Sequence, residues 1–291
     1  MPDSVTHSEV LYNFVKPPIH GWAFGHLRRR LPTPLGRAQL TEVYERLERW
    51  TGFWLTVRRA PGAELPYYQH GNDSGWDNAT TFDPGRVVVT ADLSAFLVLQ
   101  LHELGALARE LDRPNEASRW AGVAEEIQAA LLDQLWTGEV RRALGRYRED
   151  LEQCQSPRPD AHRAGRAPAR RGHQCAGRPH QGPPDPVRPG HRAAHLPHYW
   201  ADGYWRGPIW APATVLIEDG LRRAGHLRLA DDISARFRTL CETHGFAENF
   251  DALTGTGLRD RAYTWTASSY LLLARDHYLR LAGTGTDDTV A

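Results

Sequence analysis

Apolar side chains recur every three or four residues along most of this chain. The clearest case lies between residues 35 and 59, where one helical face carries Leu40, Val43, Tyr44, Leu47, Trp50, Phe53 and Trp54. Similar patterns predict helices within residues 17–31, 90–113, 115–136, 207–225, 227–245 and 264–283. We count about seven helices and no confident strand pair, which predicts an all-α protein built from paired helices.

Residues at the helix ends give local predictions. Thr90 or Asp92 is expected to cap the helix in 90–113, and Asn115 is expected to cap the next one. Four tryptophans lie on amphipathic helices, and we expect them in the core: Trp50, Trp54, Trp120 and Trp136.

Residues 152–197 interrupt the helical pattern. This stretch has no aromatic residue apart from histidine, and it contains nine of the 20 prolines and two of the three cysteines. Such a composition cannot bury enough apolar surface to offset the entropy lost on ordering. Two explanations stay open: a disordered basic linker, or a stretch translated out of frame from a GC-rich gene.

Charge and cysteine content exclude several classes of protein. The formal net charge is zero and the pI is about 7.3, so a nucleic-acid partner is not expected. We find no uninterrupted apolar run of roughly 18 residues and no secretory signal, which predicts no membrane partner. The three cysteines are odd in number and lack metal-ligand spacing, which favours a cytoplasmic location and no metal site.

Three polar loops rich in aromatic residues each precede a predicted helix. They span residues 67–83, 199–210 and 244–266. Together they supply carboxylates, an arginine and at least five tryptophans. Carboxylates can transfer protons and indoles can stack on sugar rings, so the three loops predict a carbohydrate site.

Hydrolysis of a glycoside requires two carboxyl groups on opposite sides of the scissile bond. Asp77, between Trp76 and Asn78, and Glu248, about 170 residues later, are one possible pair. An Asx turn or helix cap is the alternative for Asp77, and a solvated loop carboxylate is the alternative for Glu248. The residues alone leave four rival carboxylates open: Asp73, Asp83, Asp202 and Asp251.

Four blocks of the sequence resemble signature blocks of glycoside hydrolase family 63 and the related mannosylglycerate and glucosylglycerate hydrolases. They are "KPPIHGWAF", "SGWDNATTFD", "YWRGPIW" and "ENFDALTGTGLRDRAYTWTASSYLLL", in the family's order. The resemblance covers residues 8–150 and 199–283. It implies an (α/α)6 barrel of the six-hairpin glycosidase type and hydrolysis of α-glycosides with inversion.

The resemblance also implies roles for individual residues. Asp77 would be the general acid and Glu248 the general base, while "YWRGPIW" would line the sugar subsite. Trp76, Trp205, Trp210 and Trp265 could stack on sugar, with core packing as the alternative. Arg206 could bind a substrate hydroxyl or a glycerate carboxylate, with pairing to Asp202 as its alternative. Asn78 and Tyr204 complete the predicted substrate-binding set, and the reaction requires no metal or organic cofactor.

The chain departs from the family in having fewer helices than the barrel needs. We interpret residues 1–283 as a single incomplete catalytic domain, truncated at the N-terminus, with 152–197 as an insert and 284–291 as a flexible tail. The expected function is hydrolysis of a small α-glucoside or α-mannoside. Alternatives are a catalytically impaired carbohydrate-binding remnant, a translation product that never folds, or a trehalase or amylo-α-1,6-glucosidase of the same barrel. The oligomeric state stays open.

Overall fold

The structure, a computed structural model, describes residues 4–136 and 199–283. The chain divides into two compact units, Met1–Pro168 and Ala169–Ala291, which are described separately below. The predicted insert 152–197 and tail 284–291 lie outside the described residues. The assignment of 1–283 to a single domain stays a prediction.

The first unit begins with a short antiparallel pair of strands, followed by helices. The strands are β1 (Ser4–Val5) and β2 (Val10–Leu11). The helices are α1 (His20–Arg28), α2 (Arg37–Thr56), α3 (Gly71–Ser74), α4 (Ala91–Glu110) and α5 (Pro114–Leu135), with a 3₁₀ turn at Thr80–Phe82 between α3 and α4.

Within residues 199–283, the second unit contains three helices and one short strand pair. A 3₁₀ turn at Tyr204–Arg206 precedes α6 (Ala211–Arg223) and α7 (Leu227–His244). The antiparallel strands β3 (Asn249–Phe250) and β4 (Gly257–Leu258) follow, and then α8 (Thr264–Leu281). All three helices pack against one another. Their shared core includes Val215, Phe237 and Leu273.

Helix α4 is the centre of the first unit and packs against α1, α2 and α5. Its buried leucines meet Trp54 of α2 and Trp120 of α5 in one hydrophobic core. By length and composition α4 could also cross a membrane, since an 18-residue window reaches a mean hydropathy of 1.2. We expected no such stretch from the sequence. In the structure 61 % of that window is buried within the protein, as in the core helix of a folded domain.

A buried polar chain joins three helices of the first unit. The backbone N–H of Gly21 donates to Gln100 Oε1 at 3.0 Å, and Gln100 Nε2 donates to Thr51 Oγ1 at 2.9 Å. Any Cβ at position 21 would lie 2.9 Å from the Gln100 Cα, so a glycine is needed for α1 to approach α4. These bonds fix α1, α2 and α4 because a buried polar group left unpaired is costly.

The sequence predicted most helices but missed several local features. Seven helices of eight or more residues lie in the described ranges, as expected, and Thr90 caps α4 by accepting the Leu93 N–H. The cap predicted at Asn115 is wrong, because α5 begins one residue earlier with Pro114 in its first turn. Trp136 is 57 % exposed rather than buried. The two short strand pairs were also not predicted.

Candidate active site

The Asp77 loop, residues 70–83, begins with the short helix α3. His70 caps this helix, since its Nδ1 accepts the Asn72 N–H at 3.0 Å. Gly75 then adopts a left-handed conformation with φ of 75°, which ends the helix. A turn follows in which the Ala79 N–H donates to the carbonyl of Trp76 at 2.8 Å. The sequence Trp76–Asp77–Asn78 therefore lies at the corner of a defined turn, where all three residues are half-buried.

Asp73 anchors the base of the Asp77 loop. Its Oδ2 accepts from Arg58 Nη1 at 3.0 Å and from the Gln69 N–H at 3.0 Å. Its Oδ1 accepts from the Val15 N–H at 3.2 Å. The carboxylate is buried and both its oxygens are engaged, so this rival to Asp77 has a structural position.

The backbone of Gly71 lies close to the Asp77 carbonyl. A Cβ at position 71 would overlap the carbonyl oxygen of Asp77, so only glycine allows this approach. The Asp77 carboxylate is half-buried and has no hydrogen bond or ion pair with any residue in 4–136 or 199–283. It is therefore available to a ligand, in contrast to Asp73.

The Glu248 segment, residues 246–250, is held by hydrogen bonds on its backbone. The Glu248 N–H donates to the Asp260 carbonyl at 2.7 Å, and the Glu248 carbonyl accepts from Trp265 Nε1 at 3.2 Å. Phe250 exchanges two backbone hydrogen bonds with Ile209, which belongs to the "YWRGPIW" block. The Glu248 carboxylate is half-buried and has no hydrogen bond or ion pair within the described part of the chain.

Four of the predicted sugar-binding residues form one aromatic cluster beside this segment. We call Tyr204, Trp205, Trp210 and Trp265 the aromatic wall. Trp205 stacks on Trp210 with centroids 3.9 Å apart and planes inclined by 8°. Tyr204 and Trp265 meet Trp210 edge-on at 4.9 and 5.3 Å.

Within the wall, Trp210 has the position of a support. It is 3 % exposed, and its Nε1 donates to the Tyr204 carbonyl at 2.9 Å, so its packing matches the core alternative for this residue. Trp205 and Trp265 are half-buried, as is Arg206 in the same 3₁₀ turn as Trp205. Stacking of sugar on Trp205 or Trp265 stays a prediction.

A surface cavity of about 470 Å³ adjoins the wall. Tyr263, Trp265, Asp260, Ala262, Thr264 and Ser268 line it. The pKa of Tyr263 is raised by burial and by the negative charges of Glu248 and Asp260. A cavity of about 530 Å³ in the first unit contains none of the predicted site residues.

The other rival carboxylates have local partners or positions that account for them. Asp202 forms an ion pair with Arg259 at 2.6 Å. Asp251 accepts the N–H groups of Leu253 and Thr254 at 2.8 and 2.7 Å. Burial acts to raise the pKa of Asp251, but these hydrogen bonds outweigh burial and leave the pKa below its usual value. Asp83 is exposed at the end of the 3₁₀ turn.

The structure therefore gathers the predicted residues into two groups. Trp76, Asp77 and Asn78 lie together in the first unit, and Glu248 lies with Arg206 and the aromatic wall in the second. The pairing of Asp77 with Glu248 involves both units and stays a prediction. Among the described residues, no three His, Cys, Asp or Glu side chains form a cluster that could hold a metal ion.

Sequence reasoning missed two contributors to the site and did not identify the structural role of a third. Gly71 and Asp73 shape the Asp77 loop, and Tyr263 lines the cavity that adjoins the aromatic wall. Only Asp73 was named from the sequence, as a catalytic rival. A glycine two positions after the "YYQ" segment carries no signal of its own, because the contact it permits is six residues further along the chain.

Comparison with known proteins identifies relatives over nearly the whole chain. A mannosylglycerate hydrolase of Rubrobacter radiotolerans is 24 % identical, over 93 % of this chain and 76 % of the relative. The mannosylglycerate hydrolase of Thermus thermophilus is 36 % identical over 25 % of this chain and 17 % of its own length.

Solved structures share the fold. The GH63 mannosylglycerate hydrolase from Thermus thermophilus, in complex with glucose, aligns with a TM-score of 0.63 at 18 % identity, covering 93 % of this chain and 77 % of that one. An uncharacterized conserved protein from the same organism aligns with a TM-score of 0.65 at 19 % identity, covering 93 % and 82 %. The predicted all-α fold of the (α/α)6-barrel type is thus confirmed.

The sequence profile of one family covers most of the chain. It is described as the mannosylglycerate hydrolase MGH1-like glycoside hydrolase domain, and it matches residues 3–266. The chain therefore belongs to this family of glycosidases, related to glycoside hydrolase family 63.

Proposed function

We propose that this chain hydrolyses a small α-glycoside of glycerate, with inversion at the anomeric carbon. Family membership and relatives named mannosylglycerate hydrolase support the substrate class. The solved relatives include complexes with glucose and with Tris and D-glycerate, that is, with a sugar and with a hydroxy acid of the aglycone type.

One observation carries the proposal for the second unit. Glu248 has a half-buried carboxylate without an ion pair in the described residues, and its own carbonyl is bonded to the indole of Trp265 in the aromatic wall. A carboxylate on a backbone segment that is bonded to a partly exposed aromatic cluster can activate water next to a stacked sugar ring. The neighbouring carboxylate Asp251 is occupied by backbone N–H groups and is less suited to this task.

The proposed chemistry follows from the two carboxyl groups. Asp77, protonated, gives its proton to the glycosidic oxygen as the bond to the anomeric carbon breaks. Glu248, ionised, takes a proton from a water molecule that attacks the same carbon from the opposite face. Room for that water requires the two carboxyl groups to lie about 6.5–9.5 Å apart in the productive complex. This mechanism uses no metal and no organic cofactor.

Arg206 is the proposed binding group for glycerate. Its guanidinium offers two parallel N–H donors, which match a carboxylate. The alternative partner named from the sequence, Asp202, is engaged by Arg259 in the structure. Trp76 and Asn78, beside Asp77, complete the proposed substrate contacts, together with Tyr204, Trp205 and Trp265 of the aromatic wall.

The test is a panel of substrates given to the wild-type chain and to two variants. We expect hydrolysis of α-mannosylglycerate or α-glucosylglycerate and no comparable turnover of trehalose or of an α-1,6-linked glucan. Asp77→Asn and Glu248→Gln should each abolish turnover, because each removes one proton-transfer group. Asp83→Asn, which changes an exposed carboxylate of the same loop, is the matched control and should retain activity.

Several outcomes would contradict the proposal. Near-wild-type turnover by either catalytic variant would reject the assigned pair. Quenching of tryptophan fluorescence by a glycoside that is never consumed would favour a carbohydrate-binding remnant. Preferential cleavage of trehalose would assign the chain to a different specificity within the same fold.

A further inference from the structure

An arginine on the hairpin after Glu248 contacts the loop that carries the aromatic wall. Arg259 directly follows β4, and its Nη1 lies 2.6 Å from Asp202 Oδ1 and donates to Asn249 Oδ1 at 3.2 Å. Its Nη2 donates to the Asp202 carbonyl at 3.3 Å. A single guanidinium thus joins β3, β4 and the start of the Tyr204 loop.

The same guanidinium lies over the ring of Tyr204, with its Cζ 5.0 Å from the ring centroid. Tyr204 and Arg259 are both non-glycine residues with positive φ, 63° and 60°. A bulky residue keeps this conformation only where its surroundings enforce it, and such residues cluster at functional sites. Trp210 holds Tyr204 through its indole N–H, and Arg259 holds the phenol ring.

Arg259 is also coupled to Glu248 through the backbone. The next residue, Asp260, accepts the Glu248 N–H at 2.7 Å. Asn249, which Arg259 contacts, directly follows Glu248 and is fully buried. The Arg259 side chain therefore contacts the Tyr204 ring and Asn249. The residue after Arg259, Asp260, accepts the Glu248 N–H.

We propose that Arg259 is a positioning residue that holds the Tyr204 ring in the orientation required to contact the sugar. Through the same contacts it keeps the Tyr204 ring in a fixed position relative to the Glu248 segment. This inference rests on the proposed function, because it assigns Tyr204 to the sugar subsite. Arginine is suited to the task since its planar fork reaches two oxygen acceptors while its face covers an aromatic ring. A lysine at this position keeps the charge but not that geometry.

The test compares Arg259→Met and Arg259→Lys with Arg261→Met, a matched control at an exposed arginine two residues away. For the glycerate glycoside that the wild type hydrolyses best, we expect Arg259→Met to raise KM about tenfold and to change kcat less than about threefold. The increase in log KM caused by Arg259→Lys should be more than half of the increase caused by Arg259→Met. Arg261→Met should keep the wild-type KM.

A second readout does not depend on catalysis. The stacked pair Trp205–Trp210, 3.9 Å apart, gives coupled indole bands in the near-UV circular dichroism spectrum. We expect Arg259→Met to alter these bands and Arg261→Met to leave them unchanged. If the wild type cleaves no glycoside, the proposed function fails, while the spectrum still tests the positioning by Arg259.

A third variant covers the case in which Arg259→Met does not fold. Asp202→Asn removes the ion-pair partner at a side chain that is 65 % exposed, and we expect a smaller rise in KM of about threefold. An unchanged KM in a folded Arg259→Met protein, or in Asp202→Asn where Arg259→Met does not fold, would overturn the proposal, and so would a fall in kcat at constant KM. An unaltered near-UV spectrum in a folded Arg259→Met protein would also overturn it.

Discussion

The Asp77 loop and the Glu248 segment hold their carboxylates by different means. The Asp77 loop is anchored by a buried ion pair, Asp73 with Arg58, and by the contact of Gly71 with the Asp77 carbonyl, in addition to its local hydrogen bonds. The Glu248 segment is fixed by several backbone hydrogen bonds and by indoles, as in the bonds of Glu248 with Asp260 and Trp265. Loss of one partner from a buried ion pair should destabilise the Asp77 loop strongly, whereas loss of one hydrogen bond should weaken the Glu248 segment less.

The largest effect is expected from Asp73→Asn. This change leaves Arg58 buried without an opposite charge, which costs about 3–5 kcal/mol in the free energy of unfolding. The matched variant Asp202→Asn breaks an arginine–carboxylate pair with an exposed partner and should cost about 1 kcal/mol or less. Chemical denaturation gives the free energies, and hydrogen exchange of peptides from residues 67–83 locates the loss. An equal loss in the free energy of unfolding in both variants would refute the difference proposed between the two regions.

Gly71→Ala should reduce activity next most strongly. The added methyl group overlaps the Asp77 carbonyl oxygen, so the turn at Asp77 must shift. Displacement of a catalytic group by about 1 Å can lower the rate on the order of a hundredfold. The control is Gly85→Ala, where a methyl group would meet no atom within 4 Å. A Gly71→Ala protein with wild-type kcat would show that the position of Asp77 does not depend on this contact.

Trp265→Phe tests the Glu248 segment with a smaller change. Phenylalanine retains most of the ring but loses the N–H that donates to the Glu248 carbonyl. One such hydrogen bond contributes about 0.5–1.5 kcal/mol, so we expect kcat to fall roughly three- to tenfold. Trp136→Phe, at an exposed tryptophan, should leave kcat unchanged. A hundredfold loss of kcat in Trp265→Phe would mean that the Glu248 segment depends mainly on this one hydrogen bond.

The sequence predicted the helices of both regions because their apolar periodicity is strong over many residues. It also assigned all four residues of the aromatic wall to the predicted substrate-binding set. It could not show that Asp73 is structural while the Asp77 carboxylate is unpaired among the described residues. Both stand in the same polar loop, and only the fold brings Arg58 to one of them. The strands β3 and β4 could not be predicted either, because each has two residues and two residues show no alternation of apolar and polar side chains.

The smallest predicted effect is a loss of thermal stability at low pH. The folded pKa of Asp251 lies below its usual value, so its ionised form stabilises the Glu248 segment above about pH 4. This stabilisation is lost as the pH falls through the lowered pKa. We expect wild type to exceed Asp251→Asn in thermal midpoint at pH 7 by an amount that shrinks towards pH 3. Thermal melts across this range measure it, and a gap that widens in acid would contradict the sign.

The most direct measurement is the anomeric configuration of the first product. Proton NMR during the earliest turnover of α-mannosylglycerate or α-glucosylglycerate distinguishes the two anomers before they interconvert. If Asp77 and Glu248 act as general acid and general base, the initial product is the β-sugar. Initial release of the α-sugar would indicate a covalent intermediate and retention, and it would contradict the roles proposed for both carboxylates.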